Sequence, residues 1–598
     1  MGLAVTALVT APSAWADHVR IAVGEPPAGG AQGLLIAGRG KTVSGADAAR
    51  VLAKVPKGRC PCPITIYATL PRERVHNVRR YRIAIVGDGY HGLLVSDRTN
   101  VPGLVSIYDL EPTVKALDRG EKPPVTSQPD ANPEKTLRTL DLRLTEAHDS
   151  RGAASYVVFG LGALFALLAL ALRSSFWGRA ALLAGPVALV AALALSALEI
   201  AGPRSVGLSL LAVVGLGTPA LAALTRPRLA LAAALLAVFA VYAGVLAFST
   251  ETSSLAAFGP HPDGGVRFYG ISNQVETLLL VPGLLGAALL GVGLLPLVAV
   301  GVLVVVGASG LGADGGGVLV FAAGYLFLWL RLRRVALTAR NLGLAGVAAI
   351  CSGLLLVGLD AAFGGSSHVT RTLADGPDAL AGELAHRWRV SLDGYVSSGQ
   401  ATLIITFSLL VLIWIALRRP RYATVDAVLV ALAVSLLVND SPRDVAAYGA
   451  LSCAALRFWE ETRAGSVDSP LMARALLIAL AVLLVAGCGG EKTVEPTGPV
   501  VGTLPKVGKA NPAAGKKAFA DNGCGGCHTF QAAGATGQIG PDLDKVLKGK
   551  DAEFIKTSIT DPNAEIASGF QPNVMPQNYG SDLSAKELAD LVSFLTQK

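Results

Sequence analysis

Cys524-Gly525-Gly526-Cys527-His528 sets two thiols and an imidazole within five consecutive residues. Thiols at this separation can form thioethers to the two vinyl groups of one porphyrin, and the adjacent imidazole can ligate its iron. The pentapeptide therefore reads as a c-type haem attachment site. Two other chemistries share the pattern, a zinc knuckle and a redox dithiol. Zinc needs two further ligands, and no other Cys or His follows Cys488. A haem held in this way takes a second axial ligand. Met575, the only methionine after position 472, offers a thioether in the loop-type stretch Asn573 to Gly580, where Pro576 cannot continue a helix and Gly580 permits a sharp turn. Methionines are more often core fillers, but this one stands in a polar loop and not in a helical stripe. His528/Met575 ligation would raise the haem potential relative to a bis-His site, because the soft thioether favours ferrous iron.

Such a site needs helices beside it. Asn511-Pro512 offers an N-cap and a first-turn proline, predicting a helix over 513–521 that runs up to the pentapeptide. Ser584-Ala585-Lys586-Glu587 is a capping box, and Leu588, Leu591, Val592 and Leu595 then recur at helical spacing on one apolar face. Gly540-Pro541-Asp542-Leu543 lies between His528 and Met575. With these motifs in place, the stretch from Asn511 to Lys598 resembles the class I cytochromes c. Asp561-Pro562-Asn563-Ala564, Val574-Met575-Pro576 and Tyr579-Gly580 are most similar to the cytochrome domain fused to subunit II of some haem–copper oxidases. The resemblance implies an all-α fold with crossed terminal helices, one covalent haem c, Pro541 packed near the proximal His528, and single-electron transfer. It does not extend to copper, because the cupredoxin motif of that subunit is absent.

The preceding 500 or so residues have a different character. The chain of 598 residues is 52% hydrophobic and only 16% charged, which is membrane composition. Apolar runs long enough to cross a bilayer recur at 154–172, 180–198, 206–225, 229–249, 275–292, 293–309, 316–330, 341–363, 401–417, 424–438, 444–459 and 472–488. The pair between Thr277 and Gly307 has no charged divider, and 444–459 carries Arg457. Arginines follow the first, third, seventh and ninth runs, so the positive-inside rule makes those loops cytoplasmic and sets both chain ends outside. Haem attachment on the extracytoplasmic side, as the family implies, agrees. Much of the net charge of +8 is thus arginine at membrane edges, and no nucleic-acid partner is implied.

The expected organisation is multidomain: a signal peptide over 1–16, an extracytoplasmic mixed α/β domain over 17–152, an all-α polytopic region of eleven to twelve spans over 153–460, and an all-α cytochrome c fold over 512–598. Arg82 to Gly87 reads as a buried strand, followed by an Asp88-Gly89 turn. Pro102 to Ile107 and Leu110 to Thr113 faintly resemble the carboxy-terminal part of alkaline-phosphatase-superfamily domains, without a metal-binding set or nucleophile to carry over. His91 reads as a surface residue, and Cys60-Pro61-Cys62 as free thiols or as cysteines that pair with a partner.

Residues 472–488 have two readings. Met472-Ala473-Arg474, an apolar run, and Leu484-Val485-Ala486-Gly487-Cys488 resemble a bacterial lipoprotein signal with Cys488 lipidated. The other reading is a twelfth membrane helix. Either leaves the cytochrome on a flexible linker over 489–511, and a joining of two genes near Met472 fits both.

His261, His368 and His386 fall in outer loops, which argues against a b-type haem between the helices. Asn273, Glu276, Asp314, Asp426 and Asn439-Asp440-Ser441 stand at membrane edges, where they read as helix caps or as the lining of a solute or lipid site. Two functions of different class follow. One is an electron carrier, not itself an enzyme, anchored among membrane lipid in the bacterial cytoplasmic membrane. It would exchange electrons with a quinol-oxidising complex or a terminal oxidase. The other is a transporter or envelope-related membrane protein with the cytochrome attached as a sensor or by gene joining.

Overall fold

The structure is a computed structural model. It describes residues 19–23, 26–27, 29–36, 64–69, 80–260, 262, 268–362, 399–439, 441–464, 510–570, 574–575, 579, 583 and 585–597. The expected signal peptide, Cys60-Pro61-Cys62, His261, His368, His386, Asp440 and Cys488 lie outside the described residues, as does the whole of 472–488.

Before the membrane region come strands β1 (Val19–Val23), β2 (Ala31–Ile36), β3 (Ile64–Ala68), β4 (Arg80–Val86), β5 (Gly92–Ser96), β6 (Leu104–Ser106) and β7 (Val125–Gln128), with helix α1 (Leu110–Asp118) between the last two. β1 and β3 are parallel, with Val19 opposite Ile64; β3 and β4, and β4 and β2, are antiparallel, with Ile85 opposite both Ile66 and Ala31. Ile83, Ala84 and Ile85 have no exposed surface. That explains the unbroken apolar run where an alternating one would mark a strand with a wet face. A capping box precedes α1: Ser106 Oγ accepts from the Tyr108 N–H, and Asp109 Oδ2 accepts from the Ser106 N–H at 3.0 Å. His91 is exposed, as the sequence implies.

The membrane-type region is a helical bundle. Its elements are α2 (Pro133–Ala171), α3 (Ser175–Ala197), α4 (Pro203–Leu224, with a π-helical turn at Val213–Gly217), α5 (Arg228–Phe248), α6 (Asn273–Leu290), α7 (Leu295–Gly307), α8 (Gly315–Leu332), α9 (Ala339–Ala362), α10 (Gly399–Leu417), α11 (Ala423–Val438) and α12 (Pro442–Ala464). Each of the eleven runs expected between 153 and 460 coincides with a helix. Among the described residues, eight are long and apolar enough to cross a membrane; α7 and α11 are apolar but shorter, and α12 is too polar. The undivided pair resolves at Gly291, whose φ of +100° ends α6 and turns the chain into α7.

Helix α2 runs 39 residues, straight through the expected domain boundary at 152/153. Asn132 caps it, its side chain accepting from the Lys135 N–H at 3.1 Å, and Pro133 occupies the first turn. Its polar first half is held by Arg143, which pairs with Glu251 at 2.7 Å and donates to the Ser196 carbonyl at 3.3 Å. Helix α6 forms the centre of the bundle, with 83% of its span buried, whereas α9 lies at the periphery with 11%. Close approach there depends on small residues: a Cβ on Gly286 would stand 2.7 Å from Leu236 Cγ.

The C-terminal segment consists of α13 (Pro512–Asp521), a 3₁₀ turn at Cys524–Gly526, a two-residue hairpin of β8 (Thr529–Phe530) and β9 (Ala535–Thr536), α14 (Ala552–Thr560) and α15 (Ala585–Leu595). It has its own core, in which the rings of Phe519, Phe530 and Phe594 meet pairwise at 5.5 to 6.0 Å.

Candidate functional site: a haem-binding segment

The terminal helices of this segment cross where Gly515 faces α15. A Cβ on Gly515 would collide with the Asp590 carbonyl and lie 2.7 Å from Phe594 Cβ, so only glycine allows the approach. The predicted start of α13 is present: Asn511 Oδ1 accepts from the Ala513 N–H at 3.0 Å. Asn511 also donates its own N–H to Asp590 Oδ1 at 2.7 Å, and Lys586 Nζ lies 2.9 Å from Asp590 Oδ2. The Asn511 N–H and the Lys586 ammonium hold the Asp590 carboxyl below the usual carboxylate range. Leu591, Val592 and Leu595 are buried and Leu588 packs against them, as the apolar stripe implies. Phe594 lies outside that stripe and is buried at its centre. Ser584 falls outside the described residues.

From α13 the chain passes Gly523, at φ +67°, into the turn that carries the two cysteines. The His528 N–H donates to the Cys524 carbonyl at 3.0 Å, which closes the turn between the first cysteine and the histidine. His528 is 9% exposed. Its Nδ1 stands 2.9 Å from the Pro541 carbonyl oxygen. A carbonyl only accepts, so Nδ1 carries the proton and Nε2 keeps its lone pair for a metal. The Gly540 N–H donates to the Cys527 carbonyl at 2.7 Å, and a Cβ on Gly540 would lie 2.6 Å from His528 Cε1. Gly540-Pro541 thus fixes the ring plane, the backbone carbonyl serving as the orienting partner that metal-bound histidines use.

Burial raises the Cys524 thiol pKa. A redox dithiol depends on a depressed pKa at its attacking cysteine, so this environment counts against that reading. Among the described residues, no group of three or more His, Cys, Asp and Glu side chains could hold a metal ion. Ile539, Ile566, Phe570 and Val574 are 61%, 38%, 36% and 51% exposed, apolar side chains open to a further apolar group. Met575 is half-buried. Its neighbours Pro576, Gln577, Asn578 and Gly580 lie outside the described residues.

Several of the carboxylates and amides singled out in the bundle bond across it. Glu276 is fully buried and accepts from Asn439 Nδ2 at 2.7 Å and Ser435 Oγ at 3.2 Å; Asn273 Nδ2 donates to Ser441 Oγ at 3.2 Å. Asp314 occupies the N-cap position of α8 but makes no side-chain cap bond there. Asp426 pairs with Arg331 and, at 3.0 Å, with Arg421. These are ties between helices. Glu276, Asp314, Asp426 and Asn439 are buried inside the bundle, where a neighbouring helix can supply the partner that water supplies at an exposed helix end.

No curated protein and no solved structure matches the chain. Residues 512–598 match the Cytochrome c family model, and this C-terminal segment is a class I c-type cytochrome domain, whose business is electron transfer through covalently bound haem.

Proposed function

We propose that the chain is a membrane-tethered, mono-haem c-type cytochrome that carries single electrons on the extracytoplasmic face, exchanging them with a respiratory complex such as a quinol-oxidising complex or a terminal oxidase. The observation that carries this reading is the 2.9 Å contact between His528 Nδ1 and the Pro541 carbonyl, which makes Nδ1 the donor and leaves Nε2 as the ring nitrogen open to iron. Cys524 and Cys527 would hold the porphyrin edge, and His528 Nε2 and Met575 Sδ would ligate its iron. When bound, the haem supplies a one-electron ferric/ferrous couple. The Pro541 carbonyl keeps the His528 ring from rotating, while a Met575 thioether on the iron would pull the potential upward. No bond of a substrate is made or broken, so the cytochrome segment acts as a carrier and not as an enzyme.

Eight helices of membrane-crossing length and the arginines at alternate loops support a multi-pass anchor with both ends outside the cytoplasm. Lipidation of Cys488 would add a second anchor. A further reading, favoured by the buried Glu276–Asn439 contact, gives the bundle a transport or envelope role of its own, with the cytochrome as its redox sensor.

The test is a pyridine haemochrome spectrum and a potentiometric titration of the full chain, with Met575→Ala beside it. The variant should lose the long-wavelength thioether-to-ferric-iron charge-transfer band, and its potential should fall by on the order of 100 mV. An unchanged band and potential would remove Met575 from the site. Haem staining at 61.2 kDa supports one polypeptide, whereas a far smaller stained band assigns the haem to a separate lipoprotein starting at Met472.

A further inference from the structure

One end of the bundle concentrates arginine. Arg331 closes α8, Arg418 follows α10, Arg421 precedes α11 and Arg457 stands near the end of α12. They meet around two carboxylates. Asp426 pairs with Arg331 and Arg421; Glu461 pairs with Arg457 at 2.7 Å and Arg418 at 3.2 Å. Arg457 also donates to the Pro420 carbonyl at 2.7 Å and lies 4.9 Å from the Tyr422 ring centroid, which joins both halves into one network.

Among the described residues, these four guanidinium groups share two carboxylates, so the cluster is rich in positive charge. Unbalanced charge beside hydrocarbon is costly unless an anion meets it. The carboxylates are sealed inside, with side chains 6% and 1% exposed, while Arg331, Arg418 and Arg421 keep 23%, 21% and 38% of their side chains open. The cationic side therefore faces outward.

Two further features say what meets it. Guanidinium groups stack on Trp329, Trp414 and Trp459 at 5.9, 5.1 and 5.2 Å, and tryptophan beside arginine marks headgroup depth. Leu410, Ile413 and Leu417, which are 58%, 54% and 75% exposed, run along α10 at helical spacing and end at Arg418. An apolar strip leading into a cationic end matches acyl chains leading into a phosphate.

We propose that Arg418, Arg421 and Arg331 form a binding site for the phosphodiester headgroup of an anionic phospholipid, with its acyl chains along α10. Guanidinium forks match phosphate oxygens two at a time, which a lysine cluster does not achieve. The site rests on the membrane reading given above. That reading has its own test: extraction of the full chain from membranes by alkaline carbonate without detergent overturns it before any lipid is compared.

For the site itself, the detergent-solubilised full chain is exchanged with phosphatidylglycerol, with phosphatidylcholine, or with inorganic phosphate alone, and retained lipid is counted by native mass spectrometry. The wild type should retain phosphatidylglycerol about tenfold or more over phosphatidylcholine. Arg418→Gln with Arg421→Gln should bring the two lipids to parity, while Arg204→Gln, at the start of α4, should leave the preference intact. If the double variant does not fold, Arg421→Gln alone should lose several-fold of the preference, and high salt should weaken it in the wild type. Equal retention of both lipids by the wild type, or a preference that survives loss of the arginines, overturns the proposal. Displacement of phosphatidylglycerol by millimolar inorganic phosphate overturns its lipid part, since the site would then belong to a free phosphate.

Discussion

The cytochrome segment and the helical bundle use polar side chains in opposite ways. In the segment, three of the four groups proposed to hold the haem come from a five-residue run, and a carbonyl thirteen residues after His528 orients its ring. In the bundle, Glu461 meets Arg418, Glu276 meets Asn439 and Tyr448 meets Ser155, partners brought together from 43 to 293 positions apart. The first arrangement is covalent and local and tolerates a small core. The second is non-local and exists only when eleven helices have packed. Local chemistry can therefore be joined to almost any scaffold, whereas the bundle's polar network belongs to this scaffold alone.

The sharpest way to break that contrast is to unbalance the bundle. Glu461→Leu leaves the guanidinium groups of Arg457 and Arg418 facing each other without their anion, and should cost about 3–5 kcal/mol. Arg457→Ala should cost less, because Arg418 still neutralises Glu461. Thermal unfolding in detergent, followed by tryptophan fluorescence, measures both. If the two regions are as independent as their chemistry implies, the haem spectrum at low temperature will be unchanged in either variant. A shifted spectrum would show that the network reaches the haem, and equal losses in the two variants would contradict the shared-anion arrangement.

A second experiment strikes the cytochrome segment where it is most tightly packed. Gly515→Ala pushes a Cβ into the Asp590 carbonyl and the flank of Phe594. The helices must separate, at a cost of about 3 kcal/mol, near the upper end for one added methyl. The thermal loss of the thioether charge-transfer band should move to lower temperature, while the fluorescence transition of the bundle stays in place. An unaltered band midpoint would mean that the helix crossing is not what holds the haem pocket closed.

What could be read from sequence follows the same division. Cys524, Cys527 and His528 are contiguous, and Pro541 arrives in a motif, so their neighbourhood was visible without coordinates. Phe594 was not, because a stripe at helical spacing picks out four positions and says nothing of an aromatic at its edge that turns towards Phe519 and Phe530. In the bundle, apolar runs located eleven helices among the described residues, since burial in hydrocarbon demands length and apolarity above all. α12 was the weakest of them because it carries Arg457, and there the reason is now plain: Glu461, one turn on, neutralises that charge. The spacing of that pair is legible; the approach of Arg418 and the Pro420 carbonyl is not, as nothing local encodes which helix ends converge. The polar first half of α2 was assigned to the preceding domain for a related reason: its residues are soluble in character although its backbone continues the membrane-type helix.

The smallest expected effect concerns Asp590, and its pH dependence distinguishes it from general loosening. The Asn511 N–H and the Lys586 ammonium lower its pKa in the folded segment. A depressed carboxyl pKa stabilises the folded state above the unfolded value of about 3.9, and that contribution is lost as the pH falls through the folded pKa. Asp590→Asn removes the charge, so the variant should melt below the wild type at pH 7. As the pH falls through the depressed folded pKa the two should converge, because the wild-type carboxyl then becomes protonated as well. Following the haem band through thermal unfolding at both ends of that range provides the comparison. A gap of equal size at neutral and acid pH would mean that Asp590 contributes packing, not charge. In that case α13 and α15 would be joined by the Gly515 crossing and the Phe519–Phe594 contact, and the cytochrome segment would be apolar in its joints where the bundle is ionic.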